Sequence, residues 1–123
     1  MLGKQFTLSI MTDNSEARLQ QQCYMWFHNT YPQYRGLFFK IKNEGYNAIR
    51  GARDKATGTV PGVADMCLLI PDAQACFIEF KTEIGKQSAV QKEWEAKIKV
   101  SGHYYFLIKS LETFQHLCQR LLD

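Results

Sequence analysis

Apolar residues recur at helical spacing in three segments of the chain. The first segment covers residues 13–30, the second begins at Ser88 and ends near Gly102, and the third begins after Ser110. Serine is favoured as the residue that caps a helix N-terminus, and glycine is favoured just past a helix C-terminus. The pattern therefore predicts three helices with these boundaries.

Shorter segments rich in β-branched and aromatic residues predict four strands. They cover residues 36–43, 64–70, 75–81 and 103–109. Residues 44–62 contain four glycines and one proline with few large apolar side chains, which predicts a long loop. The resulting order is helix, three strands, helix, strand, helix. This order is typical of an α/β domain with a central mixed sheet, and we expect residues 1–123 to form one such domain.

Composition and length are those of an ordinary globular domain. The 123 residues are 46% hydrophobic and 22% charged. No apolar run approaches the roughly 20 residues that a membrane helix needs, and the N-terminal stretch has no signal-peptide pattern. We therefore expect a cytoplasmic protein without membrane contact.

Four cysteines lie apart in apolar segments, which favours buried free thiols over disulfides: Cys23, Cys67, Cys76 and Cys118.

Basic residues are concentrated in one part of the chain. The whole sequence carries a net charge of +3, whereas residues 35–58 alone contain six basic and two acidic residues, a net charge of +4. The rest of the chain therefore carries a net charge of −1. Such a segment could contact a phosphate backbone. On charge alone, however, a merely solvated loop is the favoured interpretation.

Three charged residues lie where a simple apolar hairpin would carry none. Glu79 and Lys81 are two residues apart on one predicted strand, so their side chains share a face. If this strand pairs with its predecessor through the turn at 71–74, Asp65 lies beside them. Two carboxylates can hold Mg²⁺ and leave positions for water and a phosphate oxygen, and the ammonium group can orient the attacking water. The set predicts metal-assisted phosphodiester hydrolysis, with a salt bridge at the strand edge as the alternative.

Three other polar residues are open to more than one interpretation. Asp72 precedes Glu79 in a PD…ExK pattern, but it lies in the turn, roughly 20 Å away along an extended strand. Glu16 either complements the dipole of the first helix or reaches a metal ion. Gln91 forms a Ser-x-x-Gln capping box with Ser88, yet it could also face the sheet edge that carries Glu79.

The ordered phrases GVADM, FIEFKTEIGKQSAVQKEW and SLE resemble the VRR-NUC domain of the PD-(D/E)xK nuclease superfamily. The resemblance extends over about 100 residues, from 13 to 113. It implies a restriction-endonuclease-like fold, in which helices flank a central mixed β-sheet. It also implies catalytic roles for four residues, Asp65, Glu79, Lys81 and Gln91. Glu16 matches a first-helix glutamate that joins Asp65 and Glu79 at the metal.

The same resemblance implies a stand-alone protein of phage or mobile-element type that acts in a bacterial cell. Such proteins are Mg²⁺-dependent, structure-specific DNA endonucleases, with Mn²⁺ able to substitute, and some resemble Holliday-junction resolvases that work as homodimers. We expect the DNA backbone to contact four basic residues, Arg50, Arg53, Lys55 and Lys86. For Lys86, a solvated surface lysine is an equally good interpretation. The alternatives are a flap or single-strand nuclease, and a non-catalytic module that binds branched DNA.

Overall fold

The computed structural model describes residues 15–42 and 48–123, except for the side chains of residues 48–50. In this part of the chain, four α-helices and four β-strands follow one another in the order α1, β1, α2, β2, β3, α3, β4, α4. The helices are α1 (Glu16–Thr30), α2 (Ala48–Ala56), α3 (Ala89–Val100) and α4 (Leu111–Leu122). The strands are β1 (Phe38–Lys40), β2 (Met66–Ile70), β3 (Gln74–Phe80) and β4 (Tyr104–Ile108).

The four strands form one mixed sheet in the order β1-β2-β3-β4. The β1/β2 and β2/β3 pairs are antiparallel, whereas β3 and β4 are parallel. A parallel pair needs a crossover connection, and α3 provides it between β3 and β4. The predicted α/β architecture with a central mixed sheet and flanking helices is therefore confirmed.

Serine side chains fix where three of the helices begin. The hydroxyls of Ser15, Ser88 and Ser110 each accept a hydrogen bond from the backbone amide three residues later, at 3.1, 3.3 and 3.1 Å. Each bond satisfies an amide that the helix itself leaves without a partner. The predicted starts at Ser88 and Ser110 are confirmed. None of the described helices is both long and apolar enough to cross a membrane.

The alternation of β3 divides the core between two faces of the sheet. Cys76, Ile78 and Phe80 are fully buried and belong to the main cluster, which includes side chains of α1 and α4. Phe77 points to the other face, where its ring meets that of Trp94 in α3 at a centroid distance of 5.0 Å. Helices thus cover both faces. Each large apolar side chain buried in this way contributes about 1.5–3 kcal/mol to stability.

The four cysteines are buried free thiols, as predicted. Burial raises the pKa of Cys76 to about 12, with smaller contributions from Cys118 and Cys67. A thiol in such surroundings remains protonated and is a poor nucleophile. The cysteines therefore serve as small core residues.

The predicted loop over residues 44–62 is wrong for its central part, because α2 (Ala48–Ala56) lies within it. The prediction gave weight to the glycines, but Gly51 stands among alanine, arginine and lysine residues that favour helix. A larger side chain would also fit at position 51, since a Cβ on Gly51 would meet no atom within 4 Å. The helix ends at Ala56, and the amide of the next residue, Thr57, donates to the carbonyl of Arg53 at 3.0 Å.

The connection between β2 and β3 is the tight turn that the sequence predicts. Ile70 pairs with Gln74, so three residues form the loop. Asp72 and Ala73 both have left-handed backbone conformations, with φ of 73° and 62°. Aspartate tolerates this region better than most residues, so Asp72 is a turn former at the end of the sheet opposite Glu79.

Candidate active site

The antiparallel register of β2 and β3 brings Asp65 beside Glu79. Met66, the first residue of β2, pairs with Ile78, so Asp65, which directly precedes β2, stands opposite Glu79 on β3. The carboxylate of Asp65 then crosses to the partner strand, where its Oδ2 accepts a hydrogen bond from the amide of Phe80 at 2.7 Å. The two carboxylates thus lie together at one end of the hairpin, as the sequence predicts.

Glu79 is a buried carboxylate with one partnered and one unpartnered oxygen. Only 1% of the residue is exposed. Its Oε2 accepts a hydrogen bond from Nε2 of Gln91 at 2.9 Å and lies 3.5 Å from Nζ of Lys81. Its Oε1 is buried and accepts no hydrogen bond from the described residues, although a proton on Glu79 is shared with the carboxylate of Asp65. A buried carboxylate oxygen without a partner is unfavourable unless a ligand completes the site.

Lys81 lies directly after β3 and is also buried, with 8% of the residue exposed. Its amide donates to the carbonyl of Ile108 at 3.0 Å, which extends the pairing with β4 and fixes the backbone. The salt-bridge alternative accounts for the contact between Lys81 and Glu79. It does not account for Asp65, because a second, half-buried carboxylate beside the first destabilises the pair by repulsion and desolvation.

Gln91 performs both of the roles that the sequence left open. Its Oε1 accepts a hydrogen bond from the amide of Ser88 at 2.8 Å, which completes the capping box at the start of α3. Its Nε2 donates to Glu79. One side chain therefore joins the first turn of α3 to the buried carboxylate, so the position of the helix and the orientation of Glu79 depend on each other.

Glu16 is the first residue of α1 and lies close enough to act electrostatically on the carboxylate pair. Burial raises the pKa of Asp65, and the charge of Glu16 adds to the effect against the opposing hydrogen bond from Phe80. Burial, followed by the charge of Asp65, raises the pKa of Glu79 to about 7, although Lys81 opposes the shift. Three carboxylates therefore share one region with too little positive charge to balance them.

The donor set fits a hard divalent cation held by two carboxylates. Asp65 and Glu79 supply oxygen ligands, and the unpartnered Oε1 of Glu79 is a free coordination position. Mg²⁺ is commonly held by one or two carboxylates, with waters and substrate phosphates completing its shell. Within the described residues, no group of three or more His, Cys, Asp or Glu side chains forms a ready metal-binding cluster. Glu16 is thus a neighbour of the pair rather than part of such a cluster.

The basic residues predicted to bind DNA lie on two separate elements. Arg53 and Lys55 are exposed in the last turn of α2. Arg50 belongs to the same helix, but its side chain lies outside the described part of the structure. Lys86 is exposed in the connection between β3 and α3, five residues after Lys81. All of these described side chains are accessible to a charged partner.

Two features near the carboxylates were missed by sequence reasoning. Gly62 has φ of 83°, and a Cβ there would lie 2.3 Å from the carbonyl oxygen of Val90 in the first turn of α3. Tyr105 is buried on β4, and its hydroxyl accepts a hydrogen bond from Nε2 of Gln87 at 3.1 Å. Gly62 belongs to the GVADM phrase and could have been identified there, whereas nothing in the run HYYFLIK distinguishes Tyr105 from its neighbours.

Comparison with solved structures finds proteins of the same fold, whereas comparisons with protein-family models and with curated proteins find no match. A solved structure described as a VRR_NUC domain protein superimposes with a TM-score of 0.72 over 91% of each chain, at 16% identity. A second, described as a VRR_NUC domain, has a TM-score of 0.54 over 85% of this chain and 94% of its own, at 18% identity. The predicted resemblance is confirmed at the level of the fold, since the chain has the fold of these VRR_NUC domains.

Proposed function

We propose that this chain is a metal-dependent endodeoxyribonuclease of the VRR-NUC type. The observation that carries the proposal is the state of Glu79, a buried carboxylate beside Asp65 with one oxygen unpartnered. This arrangement is costly in a protein without a ligand, and a divalent cation would relieve both the repulsion and the missing partner. The VRR-NUC fold supports the same assignment.

Asp65 and Glu79 would hold Mg²⁺, or Mn²⁺ in its place, with Glu16 adding negative charge nearby. When bound, the metal would polarise the phosphate and lower the pKa of the attacking water. The ammonium group of Lys81, 3.5 Å from Glu79, can orient that water and stabilise charge that develops on the phosphate. Gln91 holds Glu79 in position through its amide.

The substrate in this proposal is branched DNA. Arg53, Lys55 and Lys86, together with Arg50, would grip the backbone, which gives affinity without sequence selection. One chain supplies one set of Asp65, Glu79 and Lys81, whereas a symmetric four-way junction requires two cuts. We therefore propose a homodimer that resolves Holliday junctions. The proposal places this dimer in the cytoplasm of a bacterial cell, as a phage or mobile-element product.

A cleavage assay on the purified protein tests the function. Labelled four-way junction, flap, single-stranded and plain duplex DNA are each incubated with Mg²⁺, Mn²⁺ or EDTA, beside the Asp65→Ala variant. The expected result is paired symmetric cuts in the junction that require metal and disappear in the variant. Cutting of flaps or single strands alone would keep the active site and remove the junction role.

Binding without cleavage in either metal would contradict the catalytic assignment. The chain would then be a branched-DNA-binding module with the same fold. Cleavage that persists in EDTA, or in Asp65→Ala, would contradict the metal site instead. Calorimetric titration of the same proteins with Mn²⁺ measures metal binding directly. It therefore distinguishes a variant that has lost metal binding from one that has lost DNA binding.

A further inference from the structure

Ile84 is an exposed apolar residue close in sequence to Lys81 that the proposed site leaves unexplained. The residue is 89% exposed and lies three positions after Lys81. Single exposed apolar residues are common on proteins, so exposure alone carries no inference. What distinguishes Ile84 is the support of the turn that presents it and the character of the cleft beside it.

Contacts on both sides brace the turn that carries Ile84. The amide of Gly85 donates to the carbonyl of Thr82 at 3.0 Å, which closes the turn. A Cβ on Gly85 would lie 2.9 Å from the hydroxyl of Thr82, so the turn is tight enough to favour glycine. The ammonium group of Lys109 donates to the carbonyl of Glu83 at 3.3 Å. Ile84 is therefore a projecting aliphatic side chain on a fixed backbone.

The far end of the same connection is also anchored. Gln87 donates through Nε2 to Glu95 at 2.9 Å and to the hydroxyl of Tyr105 at 3.1 Å. Gln87 lies just before Ser88, the residue that caps α3. Residues 82–88 thus cross from Lys81 to α3 between two fixed ends, and little of the binding energy of a partner would be lost in ordering them.

Ile84 borders a cleft that lies against the first turns of α1 and the start of α4. The cleft has a volume of about 600 Å³, and its lining includes two cationic side chains, Arg18 and Lys109, and one carboxylate, Glu83. None of Asp65, Glu79 and Lys81 lines the cleft, but Ile84 is three residues from Lys81, so their Cα atoms lie within roughly 11 Å of each other. An aliphatic tip next to a cleft with two cations and one anion fits nucleic acid, which offers apolar base stacks between rows of phosphates.

We propose that Ile84 is a wedge that inserts between stacked bases of the DNA next to the scissile phosphate. The proposal rests on the assignment of the chain as a DNA nuclease and adds to it the means of selecting distorted DNA. Aliphatic side chains that enter a base step unstack and kink the duplex. Unstacking is easier at a junction or a bulge than in a plain duplex, so the wedge would favour branched substrates.

The test compares Ile84→Ala with Val100→Ala. Val100 is 90% exposed and is the last residue of α3, roughly 13 Å along the helix from Gln91, so it controls for loss of an exposed aliphatic group. A four-way junction with 2-aminopurine at the crossover bases reports unstacking as a rise in fluorescence, measured in EDTA. The rate of single-turnover cleavage in Mg²⁺ is measured on the same junction and on a plain duplex, each with and without a two-nucleotide bulge.

Wild type and Val100→Ala should raise the fluorescence, and Ile84→Ala should not. Ile84→Ala should cut the substrates that lack a bulge about tenfold more slowly than wild type. A bulge should restore the rate of the variant, because the base step at the bulge is already unstacked. Equal fluorescence and equal rates for Ile84→Ala and wild type would overturn the wedge and leave the nuclease assignment standing. A loss of rate that the bulge does not restore would also overturn it. Ile84-dependent fluorescence without any cleavage by wild type would leave the wedge standing and overturn the nuclease assignment.

Discussion

At the scale of single residues, Glu79 determines most of what this site can do. Its carboxylate is buried, repelled by Asp65 and only partly satisfied by Lys81 and Gln91. The neutral form is consequently favoured in the metal-free protein up to a pH of about 7. The deprotonated form that binds a cation destabilises the fold, so metal affinity and metal-free stability oppose each other at this residue.

Glu79→Gln should therefore stabilise the metal-free protein at pH 8 and have little effect at pH 4. The pKa of Glu79 is raised on folding, so its contribution is fully present below its ordinary value of about 4.3 and is lost as pH rises through about 7. The expected difference at pH 8 is about 3 kcal/mol. Thermal unfolding in EDTA across this pH range measures it. A difference between the two proteins that stays constant with pH would contradict the buried, charged state of Glu79.

Gln91→Ala separates the two roles of this side chain when it is compared with Ser88→Ala. Both variants break the capping box, and each should destabilise the protein by about 1 kcal/mol. Gln91→Ala alone removes the hydrogen bond to Glu79. We expect cleavage to fall at least about tenfold in Gln91→Ala, because Glu79 loses its positioning contact, and to remain near the wild-type rate in Ser88→Ala. Equal cleavage rates for the two variants would show that Gln91 acts only as part of the helix cap.

Single residues also show where sequence reasoning reaches its limit. Asp65, Glu79 and Lys81 could be placed together because strand alternation and a short turn fix their register. Tyr105 and Gln87 could not, because their contact joins β4 to a connection 18 residues away and leaves no periodic signal. The prediction of a loop over Ala48–Ala56 was wrong because it gave glycine more weight than the surrounding residues that favour helix.

At the scale of elements, the site depends on the close approach of α3 to the segment before β2. Gly62 lies against the carbonyl of Val90, one residue before Gln91. The glycine permits both the backbone conformation at φ of 83° and this approach. Asp65 lies three residues after Gly62, and Gln91 of α3 contacts Glu79. Gly62 thereby sets the distance between Asp65 and α3.

Gly62→Ala should destabilise the protein by about 3 kcal/mol or more, since it adds a steric clash to backbone strain. Gly102→Ala is the matched control, because Gly102 has a similar φ of 89° and a Cβ there would meet nothing within 4 Å. That variant should lose only about 1–2 kcal/mol. Urea unfolding measures both. Similar losses in the two variants would show that the approach of Val90 is unimportant.

At the scale of the whole molecule, charge is distributed unevenly over a domain with a small net charge. The net charge of +3 conceals an acidic site and exposed basic residues on α2 and near Lys86. The basic residues attract a polyanion, whereas the carboxylates repel it until a cation is bound. Binding of DNA and binding of metal should therefore assist each other.

Replacing both Arg53 and Lys55 with alanine tests the proposed backbone contacts of α2. Affinity should fall by a similar factor for junction and duplex DNA, because phosphate contacts do not select structure. The slope of log affinity against log salt should decrease in magnitude by up to about 2. Fluorescence anisotropy in EDTA at several salt concentrations measures both quantities. An unchanged slope would exclude α2 from the DNA-binding surface.

The most direct measurement of the central claim is single-turnover cleavage of a labelled junction in Mg²⁺ by wild type and Lys81→Ala, at protein concentrations that saturate binding. Lys81 lies beside the carboxylate pair and is proposed to act on the attacking water and the developing charge. The account predicts that the variant binds the junction with nearly unchanged affinity and cuts it at least about 100-fold more slowly. Cleavage by Lys81→Ala at the wild-type rate would show that Lys81 takes no part in catalysis and would contradict the proposed mechanism.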